Sequence, residues 1–268
     1  MPKMKQLKIF LLIFFISTIL FSCQKVIDLN LGNNSGLLVI EGNITDQLGP
    51  QYIKLSTNVN FTSTNTYPPV TGAAVVVTDS KGNTYNFQEG PAGTYFNENI
   101  QGLADTTYTM YVTTSGKTYT AVSKMPKAVS LDSITSKTDN FFSKKNQRQI
   151  AIHFQDPFNE TNQYRFLMFV NNVQVKRIFA LNDNFTDGRY VNLDLQENDI
   201  DVLVGDTVRV EMQNIDKNMY TYWYTLQQQK INGPGGGVTP SNPPSNITPA
   251  TLGYFSAHTL ESKTIVVK

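Results

Sequence analysis

Residues 73–87 read AAVVVTDSKGNTYNF, and this stretch decides the fold class. The run from Ala73 to Thr78 is rich in β-branched residues, and Tyr85 and Phe87 alternate with polar residues after it. Between the two runs stands Ser80-Lys81-Gly82-Asn83, a polar segment of the kind that closes a β-hairpin. The stretch therefore predicts two antiparallel strands, the first buried on both faces because its run is unbroken.

Short strands and turns alternate on both sides of this hairpin, over residues 37–126. Turn signals such as Gly90-Pro91 and Ser115-Gly116 separate runs that are rich in Thr, Tyr and Val. The pattern predicts seven strands in about ninety residues, a spacing that is typical of a β-sandwich. The composition agrees, because the chain contains 16 Phe and 13 Tyr and only 16% charged residues.

A second series of strands follows Met125-Pro126, where the first one stops. Residues 127–268 are expected to form a second sandwich, so the predicted fold class is all-β with two tandem β-sandwich domains. Two last strands, at 252–255 and 264–267, are expected to complete the second sheet. The other strands of this part are predicted at residues 129–134, 150–154, 164–170, 173–181, 190–195 and 207–212.

The segment 216–231 breaks the β pattern and predicts one α-helix added to the second sandwich. It contains no Gly or Pro, Asp216 is suited to an N-cap, and large apolar residues recur at helical spacing. The Gly-rich run at 233–237 ends the helix and begins a long loop.

The N-terminal segment has the layout of a secretory signal. Lysines precede an apolar run that is too short for a comfortable membrane span, and Leu20-Phe21-Ser22-Cys23 follows. The tetrad resembles a bacterial lipobox, which implies that residues 1–22 are removed and that Cys23 carries the lipid. Lipidation accounts for the only cysteine of the chain, which the alternative, an ordinary signal with an incidental cysteine, leaves unexplained. Residues 23–36 then form a polar tether, and two or three acyl chains suffice for stable anchoring.

Two resemblances add to this interpretation. The pattern Gly72-Ala73-Ala74-Val75, with Gly93-Thr94-Tyr95 after it, resembles the carboxypeptidase-regulatory or transthyretin-like sandwich, which implies a fold and no activity. Nearly the whole mature chain is similar to the domain-of-unknown-function family numbered forty-two forty-nine, found in Bacteroidota lipoproteins. Members often lie beside TonB-dependent transporters, which implies an accessory role at the outer membrane, and the family has no established reaction to carry over. The residues that carry this similarity are at 22–29, 38–45, 242–247 and 252–257.

Enzyme motifs are weak in this sequence. Gly116-Lys117-Thr118 ends like a P-loop, but Tyr111 stands where that motif requires glycine, so we reject it. His153 and His258 are the only candidates for a general base near neutral pH, and His153, in an alternating strand, is expected on the solvent face. His153 and Asp156 could bind a metal only with ligands from elsewhere in the chain.

The residues between 182 and 201 are acidic, which raises the question of a calcium site. Asn182-Asp183-Asn184 and Asp187-Gly188 fail the spacing that a calcium loop requires. Solvated hairpin tips are therefore the favoured interpretation, and no metal or cofactor is expected. The acidic residues are Asp183, Asp187, Asp194, Glu197, Asp199 and Asp201.

The aromatic group on the predicted helix is the sharpest candidate for a ligand site. Tyr220, Trp223 and Tyr224 offer faces that stack on sugar rings, with polar groups that hydrogen bond. The favoured alternative is core packing, because Met219, Tyr222, Trp223 and Leu226 share one side of a helix. In that case Tyr220 and Tyr224 form the exposed pair.

The charge balance gives no reason to expect a nucleic-acid partner, because the formal net charge is +1 and removal of the signal takes lysines away. We expect a non-enzymatic outer-membrane lipoprotein, held by membrane lipid through Cys23, that assists a TonB-dependent transporter. A surface adhesin or glycan-binding coat protein is the alternative, and a hydrolase that uses His153 or His258 is a third hypothesis. The sequence leaves open whether the protein faces the periplasm or the cell exterior. Asp-Ser/Thr pairs such as Asp132-Ser133 resemble sites of O-glycosylation in these bacteria.

Overall fold

The chain is built from β-strands and one helix within the part that the structure describes. This computed structural model describes residues 35–60, 63, 66–138, 147–197, 199–231 and 241–268. The predicted signal at 1–22, Cys23, nearly all of the tether and the run at 233–237 lie outside the described residues. Within the described part, no helix has both the length and the apolar character needed to cross a membrane.

The all-β sandwich fold with one added helix is confirmed. The first half contributes the seven predicted strands, β1 (Leu38–Thr45), β2 (Gln51–Thr57), β3 (Ala74–Asp79), β4 (Thr84–Glu89), β5 (Thr94–Asn97), β6 (Thr107–Thr114) and β7 (Lys117–Lys124). The second half contributes β8 (Ser133–Thr138), β9 (Arg148–Gln155), β10 (Gln163–Val170), β11 (Val173–Gln174), β12 (Phe179–Asn182), β13 (Tyr190–Leu195), β14 (Thr207–Asn214), helix α1 (Lys217–Ile231), β15 (Ile247–Thr248) and β16 (Leu252–Val266).

One long sheet runs through both halves of the described chain. Its strand order is β11-β10-β14-β16-β1-β2-β5-β4-β3-β6-β7-β15, and β12 pairs with β10. The sheet folds back on itself, so that Ile40 and Ile53 from its centre share a core with Val77 and Met110. A separate sheet of order β13-β9-β8 covers the second half.

Two hydrophobic cores result from this arrangement. The first lies among β1–β7 and includes Phe255 of β16. The second lies between the three-stranded sheet and β10, β14 and β16, and its centre is the aromatic group Phe154, Tyr164 and Phe166. Full burial of one large apolar side chain stabilises a fold by about 1.5–3 kcal/mol, so both cores contribute to the stability of the sheet that joins them.

Strand β16 corrects the prediction of two separate C-terminal strands. It is continuous over 15 residues. Residues 252–258 pair in parallel with β1, and residues 259–266 pair antiparallel with β14. Only the second part of β16 therefore completes the second sheet, and β15 pairs with β7 of the first half. The error arose because the polar residues from Ser256 to Lys263 resemble a loop in sequence, whereas backbone pairing on both sides holds them extended.

Strand β3 corrects the prediction of burial on both faces. Val75 and Val77 are buried, whereas Val76 is partly exposed and Ala74 is exposed. The face of Val76 looks outward, since its paired neighbour Tyr111 on β6 is also exposed. A β-branched run thus reflects strand propensity here and not two-sided burial.

Close packing of β1 against β16 depends on one glycine. Gly253 has φ +94°, a left-handed conformation that L side chains rarely adopt. A Cβ at this position would overlap the backbone carbonyl of Ile40, its partner in the parallel pair. Position 253 of β16 therefore requires glycine for two independent reasons, its backbone conformation and the lack of space for a Cβ.

Candidate functional site

Helix α1 lies on the outer face of the long sheet, against β10, β12 and β16. Its first turn is capped by Asp216, whose Oδ1 accepts a hydrogen bond of 3.0 Å from the backbone N–H of Met219. Met219 and Tyr222 are buried together with Ile215 and Tyr254, and Trp223 and Leu226 pack against them. The predicted apolar stripe is therefore the side of the helix that contacts the sheet.

An aromatic cluster joins the helix to β16. The ring of Tyr254 has its centroid 5.2 Å from that of Tyr222 and 5.0 Å from that of Trp223. Burial raises the pKa of Tyr222 to about 12 and raises that of Tyr254 above its usual value, so both phenols are neutral at physiological pH. The Trp223–Tyr254 pair is edge-to-face and the Tyr222–Tyr254 pair is tilted, and aromatic pairs of this kind add about 0.5–1.5 kcal/mol each to the effect of burial.

A cation lies beneath this cluster. The guanidinium of Arg165, on β10, is 3.4 Å from the ring centroid of Trp223. Arg165 donates a hydrogen bond of 3.3 Å from Nη1 to Oε1 of Gln213, and it also donates to Tyr254. Burial lowers its pKa to about 10, which still leaves it charged at neutral pH. Gln213 and Tyr254 are neutral, and the ring face of Trp223 adds a cation–π contact that favours the charged guanidinium.

The two histidines lie on different sheets and are not brought together. His258 on β16 is buried, and its Nδ1 lies 2.9 Å from Oγ of Ser256. Burial, helped by the charge of Arg165, lowers the pKa of His258 to about 3, so its imidazole is neutral. His153 on β9 is partly exposed, and its Nε2 lies 2.7 Å from Oγ1 of Thr135. Each imidazole thus has a structural hydrogen bond.

The predicted ligand residues do not all lie on the same side of helix α1. Trp223 faces the sheet, whereas Tyr220 and Tyr224 stack on each other with ring centroids 5.3 Å apart and an interplanar angle of 28°. Tyr224 is 41% exposed and Tyr220 is partly buried. The prediction of an exposed pair is therefore correct for Tyr224 and wrong for Tyr220, which packs against the buried cluster beneath the helix as Trp223 does. The exposed ring of Tyr224 is available for stacking.

Two open clefts flank helix α1. One, of about 520 Å³, lies between the helix and strands β7 and β15, and its lining includes Val122, Thr221 and Asn246. The other, of about 470 Å³, lies between β12 and β13, and its lining includes Arg177, Phe179 and Gln227. Both mix polar and apolar side chains, as surfaces that bind polar organic ligands do.

The acidic residues are used locally. Asp194 forms an ion pair of 2.7 Å with Lys137, and Oε2 of Glu197 accepts the backbone N–H of Asp199 and of Ile200. Asp183 is buried, contrary to the expectation of solvated tips, because its Oδ2 accepts the backbone N–H of Asn162. Among the residues that the structure describes, no group of three His, Cys, Asp or Glu side chains could hold a metal.

Sequence reasoning missed Arg165 and did not recognise that Asp156 is buried. Arg165 lies in the alternating strand sequence QYRFLMFV, where an arginine at an outward position indicates solvent unless another element covers it. Asp156 is fully buried, with its carboxylate accepting a hydrogen bond from the hydroxyl of Tyr164. Arg165 is covered by Trp223 and the backbone N–H of Asp156 donates to the carbonyl of Arg189, so both positions depend in part on residues that are distant in sequence.

A protein-family model matches most of the chain. The family described as Domain of unknown function (DUF4249) matches residues 24–264. That span includes helix α1 and every strand of the long sheet, and it stops just before the last residues of β16. No curated protein matches the chain.

Proposed function

We propose that this chain, which belongs to the DUF4249 family, is a lipid-anchored accessory protein of a TonB-dependent uptake system at the outer membrane. The observation that carries the proposal is Cys23, the only cysteine, directly behind Ser22 at the end of an apolar signal. Acylation of its thiol accounts for a cysteine that has no other cysteine in the chain to pair with, and an acylated protein meets its partners at a membrane.

A binding role has more support than a catalytic one. Of the two imidazoles, one is buried and neutral and the other forms a hydrogen bond to Thr135 on a sheet surface. General acid–base catalysis needs such a group near a substrate, with a pKa close to the working pH. The exposed features, in contrast, are clefts beside helix α1 and aromatic side chains, which are suited to recognition.

Metabolic labelling and co-purification test the proposal in cells that make the full chain. A clickable fatty acid should label the wild-type protein and leave a Cys23→Ser variant unlabelled, with the variant released from the membrane fraction. A tagged wild-type copy, purified from gently solubilised envelopes, should recover a TonB-dependent transporter in stoichiometric amount. Labelling without recovery of a transporter would support the lipid anchor and contradict the uptake role. Protease added to intact cells determines which side of the outer membrane the protein faces.

The glycan-binding alternative rests on the stacked pair Tyr220 and Tyr224. A sugar ring can stack on the exposed face of Tyr224, as aromatic platforms allow. Screening purified wild-type protein and a Tyr220→Ala, Tyr224→Ala variant against glycans of the cell wall and host surface tests this role. Tyr67→Ala is the matched control, because Tyr67 is exposed and lies in a different part of the fold. If the double variant loses glycan binding and the control retains it, the result would favour the adhesin hypothesis.

A further inference from the structure

The cleft between helix α1 and strands β7 and β15 is lined by uncharged side chains. Among the described residues that line it, none carries a charge, whereas the lining of the other cleft beside the helix includes Arg177 and Asp194. Its volume of about 520 Å³ lies in the range of about 300–1,000 Å³ that small-molecule sites occupy. The polar residues of its lining are Thr120, Asn218, Thr221, Ser245, Asn246 and Thr248. We call this site the neutral cleft.

Several polar groups of the neutral cleft have hydrogen-bonding capacity left for a ligand. Within the part of the chain that the structure describes, the side chains of Thr120, Asn218 and Thr248 make no hydrogen bond. The hydroxyl of Thr221 donates to the carbonyl of Lys217 at 2.9 Å, so its oxygen can still accept. A hydroxyl both donates and accepts, and an amide side chain presents donors beside an acceptor. The strand wall and the helix wall therefore both offer donors and acceptors to one ligand.

Apolar surface lies beside these polar groups. Val122, on β7, is 48% exposed, and Pro244 lines the cleft with it. A sugar ring carries hydroxyls around its edge and C–H groups on its faces, so it needs both kinds of surface. An ionic ligand would instead leave its charge without a partner in this lining. The chemistry of the cleft thus favours an uncharged ligand with many hydroxyls.

Hydrogen bonds between the walls fix the neutral cleft before a ligand enters. The Nδ2 of Asn246 donates to the carbonyl of Val122 at 3.1 Å and to that of Phe255 at 2.8 Å, and its Oδ1 accepts the backbone N–H of Phe255. On the helix side, Asp216 accepts the hydroxyl of Ser123, the residue after Val122 on β7. A site that is ordered beforehand loses less conformational entropy when its ligand binds.

We propose that the neutral cleft binds an uncharged saccharide. Hydroxyl and amide side chains of the two walls form hydrogen bonds with the sugar hydroxyls, and the C–H face of a ring lies on Val122. The site differs from the pair Tyr220 and Tyr224, on which the glycan-binding alternative rests, because neither tyrosine lines the cleft. This inference goes beyond the proposed function, since it names a ligand class for a specific site whether or not a transporter is recovered with the protein.

Calorimetric titration of the full chain tests the proposal, with the protein purified in a detergent that has no sugar headgroup. The probes are linear oligosaccharides of α-glucan, β-glucan, xylan, mannan and chitin, and oligogalacturonate is the charged control. We expect at least one neutral probe to bind with the same affinity at low and high salt, because no ion pair contributes. Absence of binding by every neutral probe, tighter binding of oligogalacturonate, or loss of binding at high salt would overturn the proposal.

A variant that fills the cleft locates the bound saccharide. Val122→Trp should weaken binding at least about ten-fold, because the larger side chain occupies the space of the sugar ring. Val266→Trp is the matched control, since Val266 is 59% exposed near the end of β16, and it should bind as wild type does. Thermal unfolding verifies that both variants fold, which their exposed positions favour.

Removal of two hydroxyls from the strand wall provides the second arm. Each of Thr120→Ala and Thr248→Ala should weaken binding about two- to ten-fold, the effect of one lost hydrogen bond. Thr84→Ala, at an exposed position of β4, is the control and should have no effect. Unchanged binding in Val122→Trp, together with loss of binding in the Tyr220→Ala, Tyr224→Ala variant, would place the sugar on the tyrosines and refute this inference.

Discussion

The hydroxyl of Ser123 on β7 donates a hydrogen bond of 2.5 Å to Oδ2 of Asp216, the residue that caps helix α1. The two residues are 93 positions apart in sequence. The same hydroxyl oxygen accepts the backbone N–H of Ala257 on β16 at 2.9 Å. The hydroxyl of Ser123 on β7 therefore links the cap of the helix to β16.

Replacement of this carboxylate should lower stability more than loss of a helix cap alone. Loss of a cap to alanine costs about 0.5–2 kcal/mol, and Asp216→Ala also leaves Ser123 without its acceptor. We expect a decrease in the free energy of unfolding at the upper end of that range, measured by urea denaturation. Asp216→Asn keeps an oxygen for the cap and is the matched control. Equal losses in the two variants would show that the cap geometry contributes little.

Removal of the cation beneath Trp223 should be visible in fluorescence. Trp223 is the only tryptophan of the chain, so its emission reports on this site alone. Arg165→Ala should shift the emission to longer wavelength, because water replaces the guanidinium, and should destabilise the fold by about 2 kcal/mol.

Arg209→Ala is the control for this change. Arg209 stacks on Phe169 at 3.9 Å and pairs with Glu211, and its side chain is 34% exposed. It should cost less than about 1 kcal/mol and leave the emission unchanged. An unshifted spectrum in Arg165→Ala would contradict the stacked geometry.

His258 should make stability depend on pH in the acidic range. Its folded pKa of about 3 lies below its ordinary value of 6.5, so between these limits the unfolded chain binds more protons than the folded one. Stability should therefore decrease as the pH falls from 6.5 towards 3, with a slope from this group of up to about 1.4 kcal/mol per pH unit.

Urea denaturation at several pH values, compared between wild type and His258→Gln, measures this slope. The variant should lose stability less steeply over the same range, because glutamine does not take up the proton. The comparison removes the contribution of Asp156, whose pKa is raised by burial and which acts in the opposite direction. Parallel curves for the two proteins would mean that the imidazole is accessible to water when folded.

Gly253 should tolerate no side chain. Gly253→Ala combines a left-handed backbone with overlap against the carbonyl of Ile40, so we expect a loss of more than about 2 kcal/mol or failure to fold. Gly116→Ala is the control, because Gly116 has φ +73° with open space around it, and should cost only about 1 kcal/mol. A thermal melt distinguishes the two; similar melting temperatures would indicate that β1 and β16 can separate locally.

Local sequence patterns predicted those parts of the fold that depend on neighbouring residues. The hairpin turn at Ser80-Lys81-Gly82-Asn83, where Gly82 has φ +91°, and the cap at Asp216 follow from residue type. The apolar stripe of helix α1, which directs Trp223 towards the sheet, was also predictable, because helical spacing alone places its residues on one side.

The parts that were missed depend on distant contacts. Arg165 is covered only because a helix that begins 52 positions later lies across its strand. The polar residues of β16 gave no sign that two other strands pair with them. Pairing between distant segments follows from the energy of the whole fold, which no window of residues contains.

The continuity of β16 has a mechanical consequence. Strands β1 and β16 run in parallel, so a pull on the N-terminal end of the chain and an opposite pull on the second half load their seven residue pairs along the strand direction. All of these pairs resist at once, instead of opening one after another as in unzipping. When the chain is pulled at its two ends, the force therefore acts along the β1–β16 hydrogen-bonded pairs in shear, the direction in which a sheet resists most strongly. Single-molecule stretching should show this as one high rupture force before either core unfolds.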